Sequence, residues 1–183
     1  ELLKKIETGI VIKQDILENQ VKFSYLAIGS NLGNKFANIE KTKFELKKNN
    51  IEIIKNSSNF ESESWPNRSN PNFINIVIKI KTYLSAIELL KLCSSIEKKL
   101  GRKKSKKNAP RTCDIDIIDF EQKILNLKNK ELILPHPRMH KRNFVLLPLF
   151  EINKSWKHPK TKIGIANLIN SLPIKDLRSI KQL

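Results

Sequence analysis

Two cysteines in 183 residues are too few for a disulfide framework, and neither Cys93 nor Cys113 has histidine or cysteine neighbours at the spacing of a zinc site. Both read as reduced thiols. Glycine is sparse, and the one glycine-bracketed turn, Gly29 to Gly33 (GSNLG), lacks the lysine and serine or threonine of a Walker loop; it reads first as a tight turn. Long apolar runs are absent: stretches such as Phe144 to Phe150 fall far short of the roughly 20 residues a membrane-spanning helix needs. No early segment joins a basic end, an apolar middle and a small-residue cleavage site, so the expectation is a soluble cytoplasmic protein with no membrane partner. At this length one domain with a real core is expected.

Acid is also scarce. With 35 basic and 18 acidic residues the formal net charge is +17, an excess that attracts phosphates on nucleic acid, lipid or nucleotides. Lysine, asparagine and isoleucine are abundant throughout, however, so most lysines read as a compositional habit painted onto solvated faces. Only basic residues placed by a motif carry weight. Modules that read single strands interleave exposed aromatics with basic residues on a sheet; no such pattern occurs, and no nucleic-acid partner is expected.

The segment 1–20 has only a weak amphipathic pattern and reads as a leader or linker; residues 21–183 form the expected domain. The lone methionine is Met139, so Glu1 is not expected to be a translation start. A strand is predicted over Phe23 to Ile28, then a helix from Lys35 to Asn49 capped by Asn34, with Phe36, Ile39, Phe44 and Leu46 on a wide apolar face. Extended segments are predicted at Ile51 to Ile54 and Ser57 to Ser62, and a loop at Glu63 to Asn72. Alternation in Phe73 to Lys81 puts the isoleucines at 74, 76, 78 and 80 in the core, leaving Phe73, Asn75 and Val77 on a face that can hold a site. Ser85 and Glu88 make a capping box for a helix ending at Gly101. Glu97 points into the middle of its apolar stripe, where an unpaired carboxylate is costly, so it should meet a cation or donors. After the basic loop Arg102 to Asn108 come a strand from Cys113 to Phe120, a hairpin toward Leu134, an apolar segment from Phe144 to Ile152 and a short helix from Gly164 to Leu172. Mixed strands and helices without strict alternation indicate an α+β sandwich with a mainly antiparallel sheet and helices packed on it.

The most informative segment is KNAPRTCDIDII, Lys107 to Ile118. On a strand Asp114 and Asp116 share one side while Ile115 and Ile117 enter the core. Two carboxylates that close raise one another's pKa unless a cation sits between them, and hard oxygen ligands beside a nucleotide suit Mg²⁺; Arg111, just upstream, can reach the same phosphates. In LPHPRMHKRNFVLLPL, Leu134 to Leu149, His136 lies between two prolines, and Arg138, Lys141 and Arg142 cluster before an apolar run; the arginine fork suits phosphate oxygens. His140 and His158 read as structural. Phe73 beside Asn75 offers a ring and an amide with both donor and acceptor, suited to a flat heterocycle.

In this order and spacing, YLAIGSNLG, NPNFIN, KNAPRTCDIDII and LPHPRMHKRNFVLLPLFEI resemble the 6-hydroxymethyl-7,8-dihydropterin pyrophosphokinases of folate biosynthesis, over about Phe23 to His158. The resemblance implies a ferredoxin-like fold and transfer of a pyrophosphoryl group from ATP to the pterin's hydroxymethyl oxygen, with AMP released. It implies that Asp114 and Asp116 hold two Mg²⁺ ions with ATP, and that Arg102 and Arg111 stabilise the transferring charge. Glu97, Lys104, Ile117, His136 and Arg142 would line the ATP site. Phe73 and Phe144 would sandwich the pterin, Asn75 would bond its polar edge, and Ser62, Glu63 and Trp65 would complete that pocket. Lys104 and Asn108 stand where arginine and tryptophan occur in relatives, Ser62-Glu63 where Thr-Pro is frequent, and Glu131 where an arginine can occur. The segment 1–20 lies outside the resemblance and is expected to be the tail of another folate-pathway enzyme, fused or adjacent.

Overall fold

The four isoleucines at alternate positions from 74 to 80 predict one buried face, and in the computed structural model each is 0–1% exposed. The structure describes residues 20–64, 67–102, 109–127 and 132–183. The expected leader, apart from Gln20, and Trp65, Lys104, Asn108 and Glu131 lie outside the described residues.

Strand β1 (Lys22–Ser30) runs into the GSNLG turn, and α1 (Lys35–Lys48) follows with the Asn34 side chain accepting from the Ala37 amide. Next come β2 (Glu52–Asn56), β3 (Phe60–Ser62) and β4 (Phe73–Thr82). Helix α2 (Ala86–Lys99) starts at the predicted capping box, with both reciprocal bonds between Ser85 and Glu88 formed, and gives way to Gly101 at φ +89°, a conformation glycine adopts without a side-chain clash. Strand β5 (Asp114–Phe120) and the small hairpin β6 (Leu125–Asn126) and β7 (Ile133–Leu134) lead to a 3₁₀ turn at Met139–Lys141 and α3 (Asn143–Ile152). The chain closes with α4 (Ile165–Asn170), α5 (Ile174–Arg178) and β8 (Ile180–Gln182).

The main sheet has the order β5-β1-β4-β3-β8, with β2 and β3 occupying successive stretches of the same edge of β4; every pairing in it is antiparallel. Taking β2 and β3 as one interrupted strand, β1-α1-β2/β3-β4-α2-β5 is the ferredoxin-like βαββαβ arrangement. The interruption is at Ser57, whose amide still donates to Val77 O while its hydroxyl accepts from the Val77 amide. The predicted α+β antiparallel sheet is therefore present.

Two cores flank the sheet. One packs Leu26, Ile28, the β4 isoleucines, Ile115 and Ile117 against Ile39 and Leu46 of α1 and Leu89, Cys93 and Ile96 of α2. The other packs Tyr25, Val77 and Ile118 against Met139, Val145, Leu146 and Leu149 of the α3 region, and Ile165 and Leu168 of α4. Each fully buried aliphatic side chain contributes roughly 1.5–3 kcal/mol. The face of β4 set aside as a site is thus only partly free: Val77 belongs to the second core, and only the Phe73–Asn75 end is open to the loops. A bulge between the β1 partners Tyr25 and Leu26 sends both Ile118 and Asp119 to this second face, after which alternation returns Phe120 to the first core.

The apolar face of α1 is narrower than predicted. Ile39, Thr42 and Leu46 are buried, while Phe36 and Phe44 are 48% and 64% exposed. At 100° per residue these rings lie about 90° and about 170° from the buried stripe, so neither joins the core.

Candidate active site

Register places the site. Across β5, β1 and β4 the partners Asp114, Gly29 and Asn75 lie in one row, and Asp116, Ala27 and Val77 in the next, all facing the α3 side of the sheet. Both aspartates therefore share the face of Phe73 and Asn75, as the spacing predicted for each strand separately. The side chain of Ile117 goes the other way: it is 4% exposed in the first core, opposite Leu26, so it forms no part of the site's surface.

Each carboxylate is held by arginine. Asp114 Oδ1 accepts from Arg111 Nη1 at 3.1 Å and pairs with Arg102 Nη1 at 2.8 Å; Asp116 Oδ2 accepts from Arg142 Nη1 at 2.7 Å. Burial, and then the neighbouring Asp116, push the Asp114 carboxyl above its usual range, opposed by Arg111, Arg102 and Arg142. Glu97 meets both partners its position demanded: its Oε1 accepts from the Ile115 amide at 2.7 Å and from Arg102 Nη1. Burial raises its pKa, and those two bonds oppose the shift. Glu97 thus ties the end of α2 to β5 and aims Arg102 at Asp114. Arg111 Nε is buried without a hydrogen-bond partner among the described residues.

His136 reaches the cleft because its amide donates to Ile118 O at 2.9 Å, pinning the segment after β7 to β5. Its Nδ1 accepts from the Arg138 amide at 3.2 Å, which places the proton of the neutral ring on Nε2, 3.7 Å from Asp116 Oδ2. Burial lowers its pKa, against the pull of Asp116, a shift that favours the neutral ring.

Beside the carboxylates stand side chains of β3, β4 and α3 that the sequence assigned to a flat heterocycle. Asn75 is 6% exposed and its Nδ2 donates to Ser62 Oγ at 2.9 Å, which fixes the amide's orientation. Phe73 stands at the mouth of β4, and Phe144, in the first turn of α3, lies under the Arg142 guanidinium at 5.5 Å. Glu63 is exposed and pairs with Arg68 at 3.0 Å, so its side chain is directed to that loop arginine.

Asn31 escaped the sequence reading, as did the side-chain role of Ser64. Asn31, 1% exposed, donates its amide to Arg111 O at 3.1 Å and accepts from the Arg111 amide through Oδ1 at 2.8 Å. Its Nδ2 donates to Ser64 Oγ at 3.1 Å and Pro71 O at 3.2 Å. One side chain therefore joins the turn after β1, the arginine segment and the loop before β4. An asparagine in a turn usually serves that turn, so only long-range contacts reveal this role. Cys113, His140 and His158 stay outside the site, and so does Asp119. Cys113 is buried against Thr42 Oγ1 at 3.2 Å, and burial lifts its thiol to about 12. His158 and His140 pack edge to face beside Trp156. Asp119, on the same face but beyond the bulge, accepts from Trp156 Nε1 at 2.8 Å and from the Gln122 amide at 2.9 Å, a structural carboxylate.

A ferredoxin-like sheet carrying arginine-clamped carboxylates beside an aromatic and amide wall defines an α+β domain fit to handle phosphates next to a flat polar ring. The family model for 7,8-dihydro-6-hydroxymethylpterin-pyrophosphokinase (HPPK) matches residues 25–154. This chain belongs to that family. Among relatives, it is 39% identical over 135 residues to the 2-amino-4-hydroxy-6-hydroxymethyldihydropteridine pyrophosphokinase of Aquifex aeolicus, covering 74% of this chain and 82% of that one. It is 36% identical over 156 residues to the folic acid synthesis protein fol1 of Pneumocystis carinii, covering 85% of this chain. The chain spans about a fifth of the length of that fungal protein, 21%. The structure of Plasmodium falciparum HPPK-DHPS wild type with pterin and p-hydroxybenzoate matches at a TM-score of 0.66 and 16% identity, over 90% of this chain and 47% of that one, a likeness of fold.

Proposed function

We propose that this chain transfers the pyrophosphoryl group of ATP to the hydroxymethyl group of 6-hydroxymethyl-7,8-dihydropterin, giving AMP and the dihydropterin diphosphate, a step in folate biosynthesis. The observation that carries the reading is the common face. Asp114, Asp116 and the arginines that hold them lie one strand away from Asn75, so a triphosphate and a heterocycle can be seated side by side across Gly29.

In the reaction the hydroxymethyl oxygen bonds to the β-phosphorus, and the bond from that phosphorus to the α,β-bridging oxygen breaks. AMP leaves with the bridging oxygen, and the hydroxyl proton is released. Charge on the transferring group is the main obstacle, and preorganised donors lower it. Arg111, through the guanidinium end that reaches Asp114, and Arg102, aimed by Glu97, supply those donors; Arg142 and the Nε2–H of His136 bind further phosphate oxygens. On the acceptor side, Asn75 offers its Oδ1 while Ser62 holds its Nδ2, and Phe73 and Phe144 present aromatic surface to the ring.

Among the described residues no group of three or more His, Cys, Asp or Glu side chains is arranged to hold a metal. A pair of carboxylates is nevertheless what a nucleotide-bound Mg²⁺ uses, because phosphates and water complete its octahedron. The fit is testable on the charges: phosphates that draw the arginines away leave Asp114 and Asp116 facing each other uncompensated, and hard divalent cations restore the balance. Asp114 and Asp116 would hold two such ions, whose chemistry is to neutralise the triphosphate and polarise its phosphorus. The partners in this reading are ATP and the dihydropterin, and fusion to another folate enzyme, as in the HPPK-DHPS structures, is compatible with it. Among the described residues no helix is long and apolar enough to cross a membrane.

The test is AMP formation from ATP and Mg²⁺ with and without 6-hydroxymethyl-7,8-dihydropterin. AMP formed only with the pterin establishes the reaction and its acceptor; absence of binding to both substrates removes the reading.

A further inference from the structure

The last ten residues follow the region matched by the family model, yet they touch both walls of the pterin pocket. On one side β8 pairs with β3 in register, Phe60 opposite Gln182 and Ser62 opposite Ile180. The Leu183 amide donates to Asn59 O at 2.9 Å, and Gln182 Nε2 to Ser58 Oγ at 3.1 Å. Strand β3 is only three residues long, and β8 is its second partner; without it β3 is an edge held by β4 alone. Ser62 on this short strand is the acceptor that orients Asn75.

On the other side the same segment grips α3. Asn143 is 8% exposed, and its Nδ2 donates to Asp176 O and to Ser179 Oγ at 3.2 Å. Its Oδ1 accepts from the Phe144 amide at 2.7 Å. Asn143 sits between Arg142, which holds Asp116, and Phe144, so the α5–β8 connection reaches the first turn of α3 where the aromatic wall begins. Leu177 adds apolar contact to the second core.

We propose that Ile174–Leu183 is a strut that sets the spacing between the Asn75 wall and the Phe144 wall, with Asn143 the positioning residue through which it acts; this rests on the pyrophosphokinase reading. Among the described residues no hydrogen bond or ion pair joins the strut to Asp114 or Arg111, and Arg142, next to Asn143, is held separately by Asp116. Loss of the strut is therefore expected to fall more heavily on the pterin than on the nucleotide.

Two variants of the full protein test this: Asn143→Ala, which removes the grip on Asp176 and Ser179, and truncation after Ser179, which removes β8. Lys181→Ala, an exposed side chain on β8, is the control. ATP affinity, dihydropterin affinity with a saturating non-hydrolysable ATP analogue and Mg²⁺, and the thermal midpoint are measured separately. The expected result is dihydropterin binding weakened about tenfold in both variants, as displacement by a fraction of an ångström produces, with ATP binding within about twofold and Lys181→Ala unchanged. Unaltered pterin binding in either variant overturns the strut, as does a parallel fall in pterin and ATP binding, which is the mark of a general structural role. Wild-type protein that binds ATP but no dihydropterin overturns the underlying reading as well, and is distinguished by appearing before any substitution.

Discussion

Asp114 and Asp116 stand two residues apart on one strand, yet their partners come from different parts of the chain. Arg102 and Arg111 on Asp114 bracket the basic loop, whereas Arg142 on Asp116 caps α3. Asp116→Ala should abolish turnover while leaving the unfolding midpoint near wild type; turnover at the wild-type rate would remove the metal assignment. Arg111→Ala should lower kcat by about a hundredfold, the scale of one lost charge-stabilising donor, with the ATP dissociation constant raised only a few fold. Stopped-turnover and binding measurements on the same preparation separate the two effects. His158 gives a prediction of the opposite kind. Its Nδ1 accepts from the Thr161 amide at 3.2 Å, and burial, then His140 and Lys160, lower its pKa. The unfolded chain therefore binds the proton more readily, so stability is fully present above the unfolded value near 6.5 and falls as pH drops through the lowered folded value. Replacing His158 with asparagine should flatten the decline of the thermal midpoint between neutral and acid pH without altering turnover.

At the scale of elements, β1 separates the two halves of the site, and Gly29 is the register partner of both Asp114 and Asn75. A Cβ built there lies 3.0 Å from Asn75 Oδ1 and 3.4 Å from the Phe73 ring. Gly29→Ala should therefore displace the amide and the ring together and weaken dihydropterin binding by about tenfold, while ATP binding, proposed above to use residues of β5 and α3, should be retained; equal loss of both ligands would show that β1 itself had shifted. The elements were largely legible in the chain. Asn34 and the Ser85/Glu88 box marked helix starts through local bonds, and the alternation around Ile76 marked a strand through its period. Helix α3 was legible only as an apolar segment, because Pro148 lies inside it and the flanking leucines carry no polar face. Strand β8 was missed for a related reason: Ile180 to Gln182 has no pattern of its own and is extended because β3 offers it an edge.

For the whole molecule, the charge of +17 is spread over many exposed lysines, whereas the proposed phosphate site uses arginines placed by α2, β5 and α3. General attraction and specific binding should separate with salt. ATP with Mg²⁺ at about 100 times its dissociation constant should stabilise the fold by roughly 2.7 kcal/mol. That shift should persist at physiological ionic strength, where any stabilisation by duplex DNA at equal phosphate is largely lost. A DNA effect that survives salt while the ATP shift vanishes would reverse the reading.

Local chemistry determined what could be read in one dimension: the capping residues, the strand periods, the carboxylates two apart on a strand, and a misplaced Glu97 that had to find donors. Those features depend on neighbours within a turn or a pleat, so their signals lie in short windows. Tertiary structure alone decided which windows meet. The antiparallel register brought Asp116 and Asn75 to one face; the bulge at Ile118 turned Asp119 into a structural carboxylate; Asn31 tied three loops together; and β8 reached the strand that carries Ser62. Each of these is a contact between residues dozens of positions apart, fixed by sheet register and packing rather than by any local preference.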